Sequence, residues 1–390
     1  MNEDERDTLR RRPRVDVLMA AYNAEATVRQ SVISVLSQDF TDFRFIIVED
    51  GSRDKTGALL TELAKLDSRL TIVKQENRGF VDALNTGLGL CTAEYVARMD
   101  ADDIAFPHRL RRQFQFMESK PSCVAVSCLV YHIDAQGRRL GTVAGKFPSA
   151  GPDSRAIPAR EPYLMHPFVF ARRQALEEIG GYRHATLAED ADLYWRLQEV
   201  GGLEVLPEIL GEYRIHDASV SGRSVINGRI QALNSQLAAI SARRRAAGEV
   251  DLEFSAEDVT VWRTTNRLED ILRRIQARLT EAESEDLRLS VVAKLLELNS
   301  YRPYELELSD CLTIKAVLED HLDQVTRQLP NVRRDWALAC ARLIRKGYSS
   351  RARALYNPCI FTDVVRGLSI QLVKAVFPQS LIRFYRQIKR

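Results

Sequence analysis

The sequence predicts an α/β fold, an open and largely parallel sheet with covering helices, followed by a second, all-helical module. Three observations carry that reading. Short apolar runs of β character alternate with helix-spaced stretches through the first 220 residues, the rhythm of an α/β sheet. Two of these runs stop abruptly in acidic clusters, at Glu49-Asp50 and at Asp100-Ala101-Asp102-Asp103. After about residue 225 the β-runs vanish and helix-like segments follow one another.

Taken in order, residues 15–20 are a compact apolar run just after a proline. Residues 25–37 have helical spacing, with Val28, Val32, Val35 and Leu36 on one face. Residues 43–48 are a second β-run, 55–66 a helix, 70–73 a third β-run, 81–90 a helix and 94–99 a fourth β-run. The apolar stretch 123–133 is too short to cross a bilayer as a helix and reads as a buried strand. In open sheets of this kind ligands bind outside the carboxyl ends of the strands. Both acidic clusters lie there. Helix-like segments then run at 226–248, 266–282, 284–299, 310–328, 331–347 and 362–376, punctuated by Pro303, Pro330, Pro358 and Pro378. The predicted organisation is a charged arm (1–13), an α/β domain (14–225) and a helical domain (226–390).

The chain has 390 residues, enough to bury large cores without disulfide staples. Hydrophobic residues make up 45% and charged residues 28%, which excludes collagen-like, mucin-like and wholly disordered chains. A net charge of +3 gives no basis for a nucleic-acid partner. The positive charge is concentrated at the end: after Asp363 there are six Arg or Lys and no Asp or Glu. The six cysteines form no two-residue-spaced pair, so a zinc or redox motif is unsupported and a reducing cytosol is expected. The first 14 residues lack the apolar core of a signal peptide. A cytoplasmic protein, not integral to a membrane, is therefore predicted.

Asp100 and Asp102 flank a small alanine, a spacing that lets two carboxylates converge on one hard divalent cation. Such a cation could neutralise a departing diphosphate. Asp102 or Asp103 could instead cap the helix that begins near Pro107. Asp50 ends a buried β-run before Gly51 and Ser52. A carboxylate there can accept a hydrogen bond from a nucleobase N–H or close an Asx-turn, and both fit. A third acidic cluster is Glu189, Asp190 and Asp192.

Further motifs follow in a fixed order: Ala20-Ala21-Tyr22-Asn23, Glu49-Asp50-Gly51-Ser52-Arg53-Asp54, Asn77 and Gly79 with Ala83, Asn85 and Gly87, then Asp100-Ala101-Asp102-Asp103 with Pro107 and Arg109-Leu110. His166-Pro167, Gly180-Gly181-Tyr182, Glu189-Asp190 and Tyr213-Arg214-Ile215-His216 complete the series. Over about residues 14–220 this series resembles a family 2 glycosyltransferase with the GT-A fold, a Rossmann-like open mixed sheet flanked by helices. The resemblance implies inverting transfer of one sugar from a nucleotide-sugar donor, with UDP as the first expectation, to a hydroxyl of a glycan or lipid-linked oligosaccharide. It implies that Asp50 binds the base, that Tyr22 stacks on it, and that the Ala20 backbone touches it. Asn23, Asn77, Gly79 and Ala101 join the donor site. Asp102 is implied as the main ligand of Mn2+ or Mg2+, with Asp100 close to the donor or metal. Asp190 is implied as the catalytic base and Glu189 as a positioning residue. That role suits the chemistry, because an acceptor hydroxyl attacks poorly unless a carboxylate takes its proton.

Three assignments stay open at this level. His216 is a further metal ligand or a packed histidine. His166 lines an acceptor cleft or simply opens a strand. Arg78 and Arg98 approach the diphosphate or base, or are structural. The sequence departs from the family in carrying Glu49 where aspartate is common, and Ala20 in place of a hydroxyl residue. No Gln-x-x-Arg-Trp motif is present, which argues against a processive synthase. No Gly-rich, Lys-bearing phosphate loop lies near Tyr22, which argues against a nucleotidyltransferase. The competing functions are transfer to a polyprenyl phosphate and a non-catalytic nucleotide-sugar-binding scaffold.

The last ten residues place Leu381, Phe384, Tyr385 and Ile388 on one helical face and Arg383, Arg386, Lys389 and Arg390 on the other. This suits an interfacial helix on an anionic membrane, peripheral at the inner face of the cytoplasmic membrane, or a helix docked on the helical module. Oligomerisation and partner docking are further roles that the sequence leaves open for the helices.

Overall fold

The computed structural model describes residues 12–145, 150–215, 224–265 and 267–376. The amphipathic stretch 381–390 and His216 lie outside the described residues. The chain divides into two compact units, one of Met1–Pro152 with Glu161–Asp217, the other of Asp153–Arg160 with Ala218–Arg390.

The first unit is built on one mixed sheet. Strands β1 (Val15–Ala21), β2 (Phe43–Asp50), β3 (Leu70–Gln75) and β4 (Tyr95–Arg98) run parallel in the order β3-β2-β1-β4. Three helices connect them: α1 (Val28–Leu36), α2 (Thr56–Ala64) and α3 (Phe80–Leu88). Helices on both faces explain why β1 and β2 are near-continuous apolar runs. Asp16 sits inside β1 at 0% exposure. It is tolerated because Arg44 Nε donates to it at 2.8 Å and the Thr92 and Ala93 N–H groups at 2.6 and 2.9 Å.

Beyond β4 the parallel rhythm of the first strands ends and the sheet becomes mixed, as the resemblance implies. Strand β5 (Ile104–Ala105) is followed by α4 (Arg109–Ser119), β6 (Cys123–Ile133) and β7 (Arg139–Ala144). After them come β8 (Phe170–Arg172), α5 (Arg173–Glu178), α6 (Glu189–Val200) and β9 (Gly202–Arg214). β8 is antiparallel to both β4 and β6, β5 to β9, and β7 to β6. β9 runs parallel to β6 with a register shift where Cys128 faces Leu206 and Leu129 faces Ile209. Pro207 lies in that shift, where its missing N–H costs no ladder bond.

The second unit is helical. It comprises α7 (Val225–Ala247), α8 (Ala256–Thr264), α9 (Leu268–Ile275), α10 (Glu281–Tyr301), α11 (Leu308–Asp320), α12 (Leu322–Arg327), α13 (Pro330–Arg345), α14 (Ser349–Leu355) and α15 (Phe361–Val376). α7 packs on α10, and α10 on α13. Trp336 is fully buried and donates its indole N–H to Leu355 O at 2.8 Å. Segment 153–160 joins this unit through the Ala159 N–H, which donates to Gln236 Oε1 at 2.9 Å. The helix expected over 310–328 is broken at His321, whose non-helical backbone closes α11 and opens α12. Helix α8 was not anticipated, although Ser255 and Asp258 form a capping box at its start. No helix among the described residues is long and apolar enough to cross a membrane.

Candidate active site

The loops that follow β1, β2, β3 and β4 meet at one edge of the sheet. Asn23 adopts a left-handed φ of 49° after β1. Its N–H donates to Ser52 Oγ at 3.1 Å, and its Oδ1 accepts from the Arg53 N–H at 2.9 Å. The loops after β1 and β2 are thus cross-tied. Glu49 contributes by accepting the Ser52 N–H at 2.6 Å, which gives the departure from aspartate a use. Tyr22, just past the end of β1, is 45% exposed.

Asp50 is buried at the end of β2 and is fully engaged. Oδ1 accepts from Gln75 Nε2 at 2.7 Å and the Arg78 N–H at 2.9 Å. Oδ2 accepts from the Gly79 N–H at 3.0 Å and Asn77 Nδ2 at 3.3 Å. Four acceptor contacts saturate a carboxylate, so Asp50 shapes the loop of Asn77 and Gly79. Gly51 allows the close approach. Its φ is +67°, and an added Cβ would lie 2.6 Å from the Asn77 nitrogen.

Past β4, carboxylate oxygens of Asp100, Asp102 and Asp103 all lie within 4.8 Å of one another. Asp103 is not a helix cap: the residue before α4 is His108, which makes no side-chain cap bond. Instead Asp103 Oδ1 accepts the Arg214 N–H at 2.8 Å, pinning the end of β9. Its Oδ2 is buried without a partner among the described residues. Arg214 Nε also donates to Asp102 O at 2.8 Å. Burial, reinforced by Asp102, raises the Asp100 carboxyl, and burial raises Asp103 well above the usual carboxylate range. Three crowded carboxylates with a buried, unpaired oxygen form a donor set that fits a hard divalent cation.

The third acidic cluster divides. Asp192 is 0% exposed and is clamped by Arg183 and by Arg196, whose Nη2 donates at 2.6 Å. That clamp fixes the start of α6, where Glu189 and Asp190 sit half-buried on the first turn. Leu187 holds φ 68° just before them, a strained conformation for a non-glycine residue. Asp190 Oδ1 accepts the Ala191 N–H at 2.8 Å. Burial raises both carboxyls, and with Asp190 beside it Glu189 is pushed up to about 7. A raised folded-state pKa means that the folded chain keeps a proton which the unfolded chain has lost. The stability this contributes is full below the ordinary glutamate pKa of about 4.5 and disappears as pH rises through 7. Melting between pH 5 and 8 is therefore expected to show a decline, on the order of 2–3 kcal/mol, that Glu189→Gln removes. An unchanged pH slope in that variant rejects the shift.

His166 is brought to the same edge because β8 runs back alongside β4. Its Nε2 shares a hydrogen bond with the Tyr182 hydroxyl at 3.0 Å. Burial and the nearby Arg98 push its pKa well below 6.5, so the ring is neutral at pH 7. Tyr182 is placed by Asn85 on α3, whose Oδ1 accepts the Tyr182 N–H and whose Nδ2 donates to Tyr182 O, both at 2.9 Å. Gly181 permits that clip, since a Cβ there would lie 2.8 Å from Asn85 Oδ1. Arg98, at the end of β4, donates to Asp100 at 2.5 Å and lies over the Phe80 ring at 5.2 Å. Tyr182, Tyr194, Phe80 and Arg214 were not singled out as site residues. Tyr194 was accessible from spacing alone, being one helical turn from Asp190.

This edge carries the motif order seen in the sequence, and comparison with known proteins agrees. The family model "Glycosyl transferase family 2" matches residues 16–180. The Bacillus subtilis protein named "Putative glycosyltransferase EpsE" is 30% identical over 194 residues, 48% of this chain and 68% of its own. The amylovoran biosynthesis glycosyltransferase AmsE of Erwinia amylovora is 29% identical over 229 residues, 57% of this chain and 85% of its own. Among solved structures, the mannosyltransferase PcManGT from Pyrobaculum calidifontis, in complex with GDP-Man and Mn2+, aligns over 92% of this chain and 88% of its own, with 18% identity and a TM-score of 0.46. The chain belongs to glycosyl transferase family 2 and is a glycosyltransferase.

Proposed function

We propose that the first unit transfers a single sugar, with inversion, from a nucleoside-diphosphate sugar to a hydroxyl of a glycan or lipid-linked oligosaccharide. The observation that carries this reading is a run of contacts that leads from one acidic group to the other. Asp100 accepts from Arg98, Arg98 lies over Phe80, Phe80 packs on His166, and His166 bonds Tyr182 and packs on Tyr194, one helical turn from Asp190.

In this reading Tyr22, Asn23, the Ala20 backbone and the Asp50-held loop of Asn77 and Gly79 receive the nucleotide. Asp102, with Asp100 and across Ala101, holds Mn2+ or Mg2+, whose contribution is to neutralise charge on the leaving diphosphate. Asp190 accepts the proton of the attacking hydroxyl, and its raised pKa makes it a stronger base than an exposed aspartate. Glu189 orients the sugar. His166, neutral and hydrogen-bonded, lines the acceptor side. AmsE is named for amylovoran biosynthesis, which supports a polysaccharide acceptor here. UDP is the first expectation for the donor base.

Calorimetric titration of UDP, GDP and dTDP, each with and without manganese, tests the reading on wild type and Asp102→Ala. One nucleotide is expected to bind only with manganese and to weaken at least about 50-fold in the variant. Absence of binding for all three under manganese sinks the transferase chemistry proposed here and brings the scaffold function forward.

A further inference from the structure

Arg214 is the last residue of β9 and is 4% exposed. Its guanidinium gathers neutral oxygens from separate parts of the first unit. Nε donates to Asp102 O at 2.8 Å, and Nη1 to the Asp134 and Ala135 carbonyls at 3.0 and 3.1 Å. Nη2 donates to Gln30 Oε1 on α1 at 3.1 Å. The Arg214 main-chain N–H donates to Asp103 Oδ1 at 2.8 Å. One residue thus grips two successive members of the acidic cluster, Asp102 by its side chain and Asp103 by its backbone. Asp134 and Ala135 open the turn between β6 and β7. That turn is locked from within, because Asp134 Oδ1 accepts the Gln136 and Arg138 N–H groups, both at 2.9 Å. β9 runs parallel to β6 with Arg214 opposite Ile133. The turn and the acidic loop therefore meet at the guanidinium.

A buried guanidinium ordinarily pairs with a carboxylate. Among the described residues no carboxylate side chain accepts from this one; its acceptors are three main-chain carbonyls and one amide oxygen. Its charge is not neutralised in an ion pair, and it stands beside the loop that crowds Asp100, Asp102 and Asp103. Crowded carboxylates repel one another, so a loop free to relax would spread them. The planar guanidinium resists that, because its donors leave in fixed directions and tie the loop to α1 and to the β6–β7 turn. A lysine ammonium is a point charge on a flexible stem and cannot span those acceptors. We propose that Arg214 is a positioning residue: it holds Asp102 and Asp103 in the crowded arrangement that receives a divalent cation, touching neither the cation nor the nucleotide. A site formed in advance has less ordering entropy to lose on binding. The inference rests on the metal-dependent transferase reading above and adds the residue that pre-forms its cation site.

The test reads the manganese requirement rather than the rate. The probe is whichever of UDP, GDP and dTDP binds wild type, and its affinity is measured by calorimetry over a series of Mn2+ concentrations. Arg214→Lys keeps the charge and loses the fork. The Mn2+ concentration that gives half the full effect should rise about tenfold, with nucleotide affinity at saturating Mn2+ within about twofold of wild type. Gln30 is exposed on α1, and Gln30→Leu removes only the contact to Nη2. That variant should raise the Mn2+ midpoint about threefold, and it serves if Arg214→Lys does not fold. An unchanged midpoint beside a lowered melting temperature makes Arg214 a structural residue only and overturns the proposal. Nucleotide affinity that stays weak at saturating Mn2+ assigns Arg214 to the nucleotide pocket and overturns it too. Wild type that binds none of the three, or binds one regardless of Mn2+, overturns the metal-dependent reading itself, a failure seen before any variant is made.

Discussion

Asp190→Asn is expected to lower kcat about 1000-fold, within the usual range for loss of a general base. The substitution is nearly isosteric. Asn can keep the contact that Oδ1 makes with the Ala191 N–H at 2.8 Å, so the first turn of α6 should hold its form. It cannot take a proton. The clamp of Arg183 and Arg196 on Asp192 lies two residues on and is untouched. Donor affinity is therefore expected to stay within about twofold and the melting temperature within about 2 °C. Steady-state rates with an acceptor hydroxyl, and calorimetry on the same preparation, separate the two effects. A kcat within tenfold of wild type would reject Asp190 as the base. It would favour an acceptor that is already anionic, such as a polyprenyl phosphate, which needs no strong base.

The parts of this site that were legible in the sequence share one physical basis. β1, β2 and β4 are buried strands, so they appear as short apolar runs, and their ends are marked by the polar residues that the sheet edge exposes. Asp50, Asp100 and Asp102 stand out for that reason. The parts that were not legible depend on contacts distant in the chain. Asp50 alone leaves nucleobase contact and turn closure equally open, and its partners Gln75 and Gly79 lie 25 and 29 residues away. Asp103 resembles a helix cap until the return of β9 brings the Arg214 N–H to it. β8 has only three residues and β5 two, too few to show any period. Yet β8 is the strand that carries His166 to the end of β4. Asp192 shares a cluster with Glu189 and Asp190 by position only, because helical geometry turns it inward to two arginines.

Asp310→Ala is expected to destabilise the helical unit by about 3–5 kcal/mol, the cost of leaving a buried charge without its partner. Arg229 on α7 and Asp310 on α11 are both 0% exposed. Arg229 Nε donates to Asp310 Oδ1 at 2.7 Å and Nη2 to Oδ2 at 2.9 Å, a two-pronged pair. Nη2 also reaches Glu307 at 2.6 Å, but Glu307 is half-exposed and a weaker compensation. Asp310 has a second duty. Its Oδ2 accepts the Glu307 N–H at 2.9 Å, part of the capping box that opens α11. Removing the carboxylate therefore strands Arg229 and uncaps a helix in one step. At about 2–4 °C per kcal/mol for a unit of this size, the melting temperature should fall by roughly 10 °C. The double variant Arg229→Met with Asp310→Leu separates the two costs. It removes the stranded charge but not the lost cap, so it should recover most of the stability, leaving a deficit of about 1 kcal/mol. A double variant no more stable than Asp310→Ala would mean that the pair is not what holds α7 against α11.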